Sequence, residues 1–164
     1  MSQDVSARIA AARNAGRLSL AESEGKRILQ HYGIAVPRFL DVAAGGSAAT
    51  AFSQLEAPLV LKGVATELVH KSDAGAVALG LKSLDEVEAA MGDMTRSVRS
   101  HGVELDGFLL EEMAPKGVEM VVGGINDPQF GPMVMVGLGG VFVEVFKDVA
   151  FRLCPVDRKG ARAM

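Results

Sequence analysis

The segment PLVLKGVATELVHKSDAGAVALGL, residues 58–81, places four consecutive polar residues between two apolar runs. The flanking runs are short and rich in branched apolar side chains, which predicts two β-strands joined by a polar loop. His70 lies in that loop. An exposed position would account for it, but a neutral imidazole is also a good nucleophile toward phosphorus near pH 7. The pattern alone leaves both interpretations of His70 open.

Lys62 is a charged residue inside the first of these predicted strands. Strand alternation places it on the same face as Val60 and Val64. A lysine in that setting either extends its ammonium to water or meets an anion. The pattern is compatible with an ordinary edge-strand lysine and with an anion-binding one.

Helices and strands alternate irregularly on both sides of this segment. Upstream, we predict a helix over 19–31, with Glu22 and Lys26 as an i,i+4 pair, and then a strand in PRFLDVA. A second helix, SAATAFSQLE, is expected to begin at Ser47. Downstream, apolar residues at spacings of three and four predict a helix that follows a Ser83–Glu86 capping box.

The residues after Gly102 read mostly as strands separated by turn signals such as NDPQFG. The sequence therefore predicts an α+β fold without regular βαβ alternation. We expect an N-terminal tail or helix over 1–17, a first lobe over 18–106 and a second, incomplete lobe over 107–164. The last residues, DRKGARAM, read as the opening of a helix, which indicates a fragment of a longer protein.

Three carboxylates and a glycine run add to the polar positions within strands. Glu112, Glu119 and Glu144 lie on strands separate from that of Lys62, which is typical of a polar cleft lined by several strands. The run VGLGGV, with Gly137, Gly139 and Gly140, could let backbone amides approach a phosphate, although glycine-rich turns between strands are common.

Composition excludes several classes of function. The chain has 164 residues, 49% of them hydrophobic and 23% charged, and a net charge of −3 without a basic cluster. Nucleic acid and anionic membranes are therefore not expected as partners. One cysteine, Cys154, and the lack of a secretory signal or long apolar run favour the cytoplasm. The sequence contains no P-loop, no Cys/His metal spacing and no nucleophile elbow.

The ordered set of motifs resembles the ATP-grasp domain of ADP-forming acyl-CoA synthetases, the nucleotide-binding β subunit or domain of the acetyl-CoA synthetase type, akin to succinyl-CoA synthetase. The resemblance runs from about residue 18 to the end and rests on the motifs LAESEGKRILQHYGIAVP, PLVLKG, HKSDAGAVALGL, GFLLEEM and GVEMVVGGINDPQFGPMVMVGLGGVFVEVFKDVAFRLCP.

The resemblance implies a fold and a reaction. The fold is two α+β lobes, with largely antiparallel sheets, that grip ATP. The reaction joins a carboxylic acid to coenzyme A with ATP, giving acyl-CoA, ADP and phosphate. In the acetate-type enzymes the phosphoryl group passes from a histidine of the CoA-ligase subunit to a second histidine in the HKSD loop, and from there to the nucleotide. The resemblance assigns that carrier role to His70.

The resemblance also assigns the remaining site residues. Lys62 looks like the lysine that contacts the α- and β-phosphates. The strand end formed by Glu111, Glu112 and Met113 looks like the hinge that reads the adenine edge, and Glu119 would hold the ribose hydroxyls. By the same resemblance, Glu144 and Arg152 would face the end of the site where the phosphoryl group is transferred.

The family's Mg²⁺ ligands are expected beyond Met164, and the CoA-binding and ligase parts on a partner α subunit or on fused domains. The resemblance thus implies ATP/ADP and Mg²⁺ as cofactors, coenzyme A and a small carboxylic acid as substrates, and a hetero-oligomer when intact. We expect the isolated chain to have weak or no ATP turnover.

Two other interpretations remain at the level of sequence. Related ATP-grasp domains are fused to protein lysine acetyltransferases as regulatory modules that do not ligate CoA. A scaffold that binds no nucleotide also fits the composition, but it leaves the charges within strands unexplained. The presence of His70, Lys62 and Glu119 favours the enzyme component.

Overall fold

The structure is a computed structural model that describes residues 3–65, 75–140 and 149–164. The predicted phosphoryl carrier His70 and the predicted cleft residue Glu144 lie outside the described residues. The elements in chain order are α1 (Gln3–Asn14), α2 (Glu22–His31), β1 (Phe39–Ala43), α3 (Ala49–Gln54), β2 (Leu59–Val64), β3 (Val77–Leu81), α4 (Leu84–Ser100), β4 (Gly107–Glu112), β5 (Met120–Asp127), β6 (Gly131–Leu138), β7 (Val149–Leu153) and α5 (Arg158–Arg162).

The chain divides into two compact units, Met1–Ala114 and Pro115–Met164. The first unit contains a four-stranded sheet in the order β1-β4-β2-β3, and all its strand pairs are antiparallel. Alternating residues of β2 and β4 point to opposite faces of this sheet. Leu59, Leu61 and Leu110 share one face, where they are fully buried.

The main hydrophobic core lies on that face. It is completed by α4, whose apolar stripe has the spacing predicted from the sequence, and by side chains of α3 and β1. The buried members of this core are Val42, Ala48, Ala51, Leu59, Leu61, Val87, Met91, Met94, Phe108 and Leu110. Lys62 and Glu111 follow Leu61 and Leu110 along their strands, so their side chains point to the other side of the sheet.

Helix α2 supplies side chains to that opposite face. Phe39 pairs with Glu111 across β1 and β4, so the two side chains lie on the same side. The Lys26 ammonium and the Arg27 guanidinium lie 5.5 and 5.3 Å from the centre of the Phe39 ring. Arg27 also donates a hydrogen bond of 2.7 Å to Asp41. The polar side of α2 is thereby placed over the sheet.

The second unit contains a three-stranded sheet in the order β5-β6-β7, again antiparallel. The turn between β5 and β6 is held by Asp127, whose Oδ1 accepts hydrogen bonds from the amides of Gln129 and Phe130 at 2.8 and 2.9 Å. The α+β composition predicted from the sequence and the antiparallel sheets implied by the family resemblance are confirmed.

Three local expectations need correction. Helix α2 begins at Glu22 rather than Ser19. Helix α3 begins at Ala49, and the Ser47 hydroxyl accepts from the Ala49 amide at 3.2 Å while it donates to Glu88 at 2.7 Å. The predicted lobe boundary at residue 106 falls before β4, yet β4 pairs with β1 and β2 in the first unit. The sequence becomes rich in strands at β4, one strand before the second sheet begins.

Candidate nucleotide-binding site

Four charged side chains of the first unit form a ring of ion pairs, which we call the charge cluster: Glu22, Lys26, Lys62 and Glu111. The Lys62 ammonium lies 2.6 Å from Glu111 Oε1 and 2.6 Å from Glu22 Oε1. Lys26 pairs with Glu111 Oε2 and lies 3.2 Å from Glu22 Oε1. Each lysine thus contacts both carboxylates, and the formal charges cancel.

Three elements bring the charge cluster together. Glu22 and Lys26 are one turn apart on α2, so they lie on one face of the helix. Glu111 stands opposite Val60 in the register of β4 and β2, two residues from Lys62 on the same face. The members of the cluster are buried to different degrees. The side chain of Glu111 is 7% exposed, that of Lys26 13% and that of Lys62 23%.

The cluster sets the ionisation of its most exposed carboxylate. Burial alone raises the pKa of Glu22, but hydrogen bonds from Lys62 and Lys26 and the charges of both ammonium groups lower it by more. The pKa of Glu22 is therefore below its ordinary value. Glu22 is a carboxylate at neutral pH, and it competes for the Lys62 ammonium.

Lys62 also lies at the base of the connection between β2 and β3. It pairs with Val77 across the two strands, and the Gly63 amide donates to the Ala76 carbonyl at 2.8 Å. The HKSD segment predicted to carry the phosphoryl group belongs to this connection. Both ends of that connection are therefore fixed next to the residue predicted to bind phosphate.

The three predicted hinge residues have different environments. The Glu111 side chain contacts Lys26 and Lys62, and the sequence pattern does not predict these contacts. The Glu112 carboxylate turns to the other side of β4 and accepts hydrogen bonds from Arg38 at 3.2 Å and from the Glu56 amide at 2.9 Å. The Met113 amide donates to the Pro58 carbonyl at 3.2 Å, and the Met113 side chain is exposed.

In the second unit, the glycine run approaches Glu119. The Gly139 amide donates to the Glu119 carbonyl at 2.8 Å. Gly140 has φ +62°, and a Cβ built on it would lie 2.7 Å from Glu119 Oε2. Gly139 and Gly140 therefore lie against Glu119, the exposed residue predicted to hold a ribose, and the approach of this run to a phosphate stays a prediction.

Arg152 lies on β7 with its guanidinium exposed. It donates to the carbonyl of its neighbour Phe151 at 2.8 Å, and its second terminal nitrogen is 3.5 Å from the Ala163 carbonyl. Both are neutral acceptors on the surface of the same unit. In the described part of the chain, no carboxylate pairs with the Arg152 guanidinium.

Glu22 and Lys26 are the residues of this site that sequence reasoning missed. Their i,i+4 spacing predicts a pair on one face of the helix. The spacing carries no information about which strand residues lie beneath the helix, so the contacts with Lys62 and Glu111 were not accessible from it.

The residues that the structure describes include no group of three or more His, Cys, Asp or Glu side chains placed to hold a metal ion. The ligands of the Mg²⁺ that the family resemblance implies are therefore not assigned to the described residues, and we derive no step through it. Among the same residues, no helix combines the length and the apolarity required to cross a bilayer.

Comparison with known proteins places this geometry in context. The chain is 43% identical over 148 residues to the β subunit of acetate–CoA ligase [ADP-forming] I of Pyrococcus furiosus, and the alignment covers 88% of this chain and 63% of that subunit. The chain thus spans less than two thirds of the length of this relative.

Two solved structures of the dinucleotide-forming acetyl-coenzyme A synthetase 1 of Candidatus Korarchaeum cryptofilum share the fold. One, in complex with coenzyme A and Ca-AMPCP, has a TM-score of 0.89 and 41% identity over 95% of this chain and 69% of that one. The other, with coenzyme A and Mg-AMPPCP, is described with its phosphohistidine segment pointing towards the nucleotide-binding site. It has a TM-score of 0.82 and 39% identity over 98% of this chain and 68% of that one.

The model of one protein family, the ATP-grasp domain, matches residues 11–164. This match includes the charge cluster, both sheets and nearly all of the chain. The chain belongs to the ATP-grasp domain family, and its relatives include ADP-forming acetyl-CoA synthetase β subunits.

Proposed function

We propose that this chain is the nucleotide-binding component of an ADP-forming acyl-CoA synthetase, in which a phosphoryl group moves between ATP or ADP and His70 during acyl-CoA formation. The observation that carries the proposal is the position of Lys62. Its ammonium is held by two carboxylates at the base of the β2–β3 connection, next to the segment that contains the proposed carrier. The named relatives are ligases of this class.

The proposed step is a phosphoryl transfer between nitrogen and oxygen. When ATP is the donor, an imidazole nitrogen of His70 attacks the γ-phosphorus and forms an N–P bond. The bond from this phosphorus to the β,γ-bridging oxygen breaks, and ADP leaves with the electron pair. The reverse step moves the phosphoryl group from His70 to ADP. Such a transfer depends on positioning and on charge neutralisation, which Lys62 would supply.

The other predicted residues take roles around the nucleotide in this proposal. Glu112 and Met113 would border the adenine, Glu119 would accept from the ribose hydroxyls, and Glu144 and Arg152 would serve the transferred phosphoryl group. The exposure of Met113, Glu119 and Arg152 is compatible with contact to a ligand. We assign Glu111 to holding Lys26 and Lys62, and not to the predicted contact with adenine, because both of its carboxylate oxygens are engaged by these lysines.

Coenzyme A and the acid would bind to a partner α subunit or to fused domains, giving a hetero-oligomer or a multidomain chain. The relative from P. furiosus is itself named as a subunit, which supports a partner. Magnesium would accompany the nucleotide, as the Mg-AMPPCP complex of the Korarchaeum protein suggests. Its ligands would come from outside the residues described here.

Labelling with γ-³²P-ATP tests the carrier role of His70. The full-length protein with its ligase partner is incubated with the label, and the protein-bound phosphate is tested for stability in acid and in base. We expect an acid-labile, base-stable label that disappears in His70→Asn. The matched control is His101→Asn, since His101 lies at the C-terminus of α4 and its ring contacts the Ser97 carbonyl.

Undiminished acyl-CoA synthesis by the His70→Asn protein would refute the shuttle. Nucleotide binding without any label in the wild-type protein would instead favour the regulatory module described above. Both outcomes are read from the same preparations, and retention of the label in His101→Asn shows that the loss is specific.

Lys62 is tested separately by equilibrium binding. Replacing it with Ala is expected to weaken ADP binding by about 1–3 kcal/mol if its ammonium meets phosphate. The measurement is titration calorimetry at fixed salt, because charge contacts weaken with ionic strength. An unchanged affinity would return Lys62 to a purely structural position in the charge cluster.

A further inference from the structure

We infer that Glu22 and Lys26 of α2 are positioning residues for Lys62 and act on it in opposite directions. Glu22 competes with phosphate for the Lys62 ammonium, whereas Lys26 competes with Lys62 for the Glu111 carboxylate. The inference rests on the proposed contact between Lys62 and the nucleotide. It adds a role for a helix that the family resemblance does not connect with the phosphates.

The Glu111 carboxylate requires cationic partners in the folded protein. Its side chain is 7% exposed, and a buried carboxylate without partners is strongly unfavourable. Its two oxygens are divided between two lysines, with Oε1 on Lys62 and Oε2 on Lys26. If Lys26 is removed, Lys62 is the cationic partner that remains for Glu111 among the residues that the structure describes. Its ammonium is then held more tightly and is less available to a phosphate.

Glu22 occupies the Lys62 ammonium from the side of α2. Glu22 Oε1 accepts a hydrogen bond of 2.6 Å from Lys62 and is more exposed than Glu111. A phosphate oxygen that approaches the Lys62 ammonium must displace this hydrogen bond or share the ammonium with it. Loss of the Glu22 charge also removes a repulsion toward the phosphate. Both effects favour the nucleotide.

The net charge of the cluster predicts the same directions of change in nucleotide affinity. The intact cluster is formally neutral, with two lysines and two glutamates. Replacing Glu22 by Gln makes it positive, and replacing Lys26 by Met makes it negative. A polyanionic ligand bound at Lys62 responds to this difference at short range, where water screens the charges only in part.

The binding test compares the two substitutions in the full chain. We expect Glu22→Gln to tighten ADP binding and Lys26→Met to weaken it, each by about three- to tenfold. Lys26→Arg keeps the charge and is expected to remain within about twofold of the wild type. Urea unfolding of each variant is recorded in parallel, because both substitutions remove an ion-pair partner and both should lower stability.

The opposite signs separate a positioning role from a structural one. A merely structural contribution would weaken ADP binding in both variants, in parallel with the loss of stability. That result would overturn the inference, and so would equal ADP affinity in the wild type, Glu22→Gln and Lys26→Met.

A second readout does not need a nucleotide. Reductive methylation with formaldehyde and borohydride modifies the neutral form of an amine, and peptide mass spectrometry follows its rate at Lys62. We expect a faster rate in Glu22→Gln, because the ammonium loses a carboxylate partner, and a slower rate in Lys26→Met. Rates that change in the same direction in both variants would refute the competition within the cluster.

Lys62→Met distinguishes failure of the inference from failure of the proposed function. If Lys62→Met leaves ADP affinity unchanged, the proposed phosphate contact is wrong, while the methylation rates still test the cluster. If Lys62→Met weakens ADP binding but Glu22→Gln and Lys26→Met change ADP affinity in the same direction, the phosphate contact stands and the role assigned to α2 is wrong.

Discussion

At the scale of single residues, the Arg17–Glu24 pair shows how one carboxylate secures the start of a helix. Arg17 donates to both oxygens of Glu24 at 2.7 and 2.8 Å, and the Ala21 amide donates to Glu24 Oε2 at 2.7 Å. The hydrogen bonds from Arg17 lower the pKa of Glu24 to about 2. Glu24 therefore stabilises the folded state as a carboxylate.

This pair predicts a dependence of stability on pH. Because the pKa of Glu24 in the folded state lies below its ordinary value of 4.5, its contribution is complete above about pH 4.5. The contribution is lost as the pH falls toward 2. We expect the urea midpoint of Arg17→Met to fall less between pH 5 and pH 2 than that of the wild type.

The control for that experiment is Arg8→Met, which removes an exposed ion pair with Asp4 at 3.1 Å. Its urea midpoint should follow the wild-type pH dependence closely. If Arg17→Met and the wild type lose stability in parallel over this range, the assignment of the pH dependence to Glu24 is contradicted.

Gly140 provides a second prediction at this scale. Its φ of +62° disfavours any side chain, and a Cβ would lie 2.7 Å from Glu119 Oε2. We expect Gly140→Ala to lower the free energy of unfolding of its unit by about 1–2 kcal/mol. Thermal or urea unfolding measures this. The control is Gly117→Ala, where a Cβ meets nothing within 4 Å and φ is not positive; equal losses would contradict the steric explanation.

The residue types of the site could be predicted from the sequence, but their pairings could not. Lys62 stands out as a charge in an apolar strand, and alternation correctly places it away from the leucine face of β2. The predicted grouping of Lys62 with Glu112 is wrong, because Glu111 is the carboxylate that shares its face. The contact between Lys62 and Glu111 depends on the register of β2 against β4, which joins residues about fifty positions apart. Glu111 and Glu112 are adjacent, yet the pleat sends their carboxylates to different partners on opposite faces.

At the scale of elements, α4 illustrates a helix whose start is determined by local sequence. The Ser83 hydroxyl accepts from the Glu86 amide at 3.2 Å, as the capping motif predicts. The Glu86 carboxylate does not return to Ser83; it accepts from the Lys82 amide at 2.6 Å. The predicted capping box is thus confirmed in its first hydrogen bond and wrong in its second, which moves one residue toward the N-terminus.

This cap predicts the cost of removing the hydroxyl. Ser83→Ala is expected to destabilise the first unit by about 1 kcal/mol, measured by urea unfolding. The comparison variant is Ser53→Ala within α3, where the hydroxyl donates to the Thr50 carbonyl and alanine has the higher helix propensity. Ser53→Ala should be neutral or slightly stabilising. A loss in Ser53→Ala as large as that in Ser83→Ala would contradict the capping explanation.

Elements with a strong periodic pattern were the most predictable ones. The apolar stripe of α4 contains Val87, Met91, Met94 and Val98, all buried, and their spacing alone places the helix. Sheet order was not predictable in this way. Strand β4 follows α4 in the sequence but inserts between β1 and β2. That order depends on pairing between strands that are distant in the sequence, so the lobe boundary drawn from composition fell one strand too early.

At the scale of the whole molecule, the two units differ in how much apolar surface they bury. All the buried hydrophobic side chains of the described residues lie between Val5 and Leu110, in the first unit. The second unit has several large apolar side chains that are more than half exposed, including Val118, Val122 and Phe130. Hydrophobic burial is the main stabilising contribution in folding, so the two units should differ in local stability.

Amide hydrogen exchange of the full chain measures this difference. We expect the amides of β2 and β4, which lie in the centre of the first sheet, to exchange about tenfold or more slowly than those of β6, the central strand of the second. The comparison between central strands is matched, because each has hydrogen-bonded neighbours on both sides. Leu110→Ala, which leaves a cavity in the main core, should raise exchange in β2 and β4 and cost about 2–5 kcal/mol. Protection in β6 equal to that in β4 would show that the second unit is stabilised by something other than the burial of its described side chains.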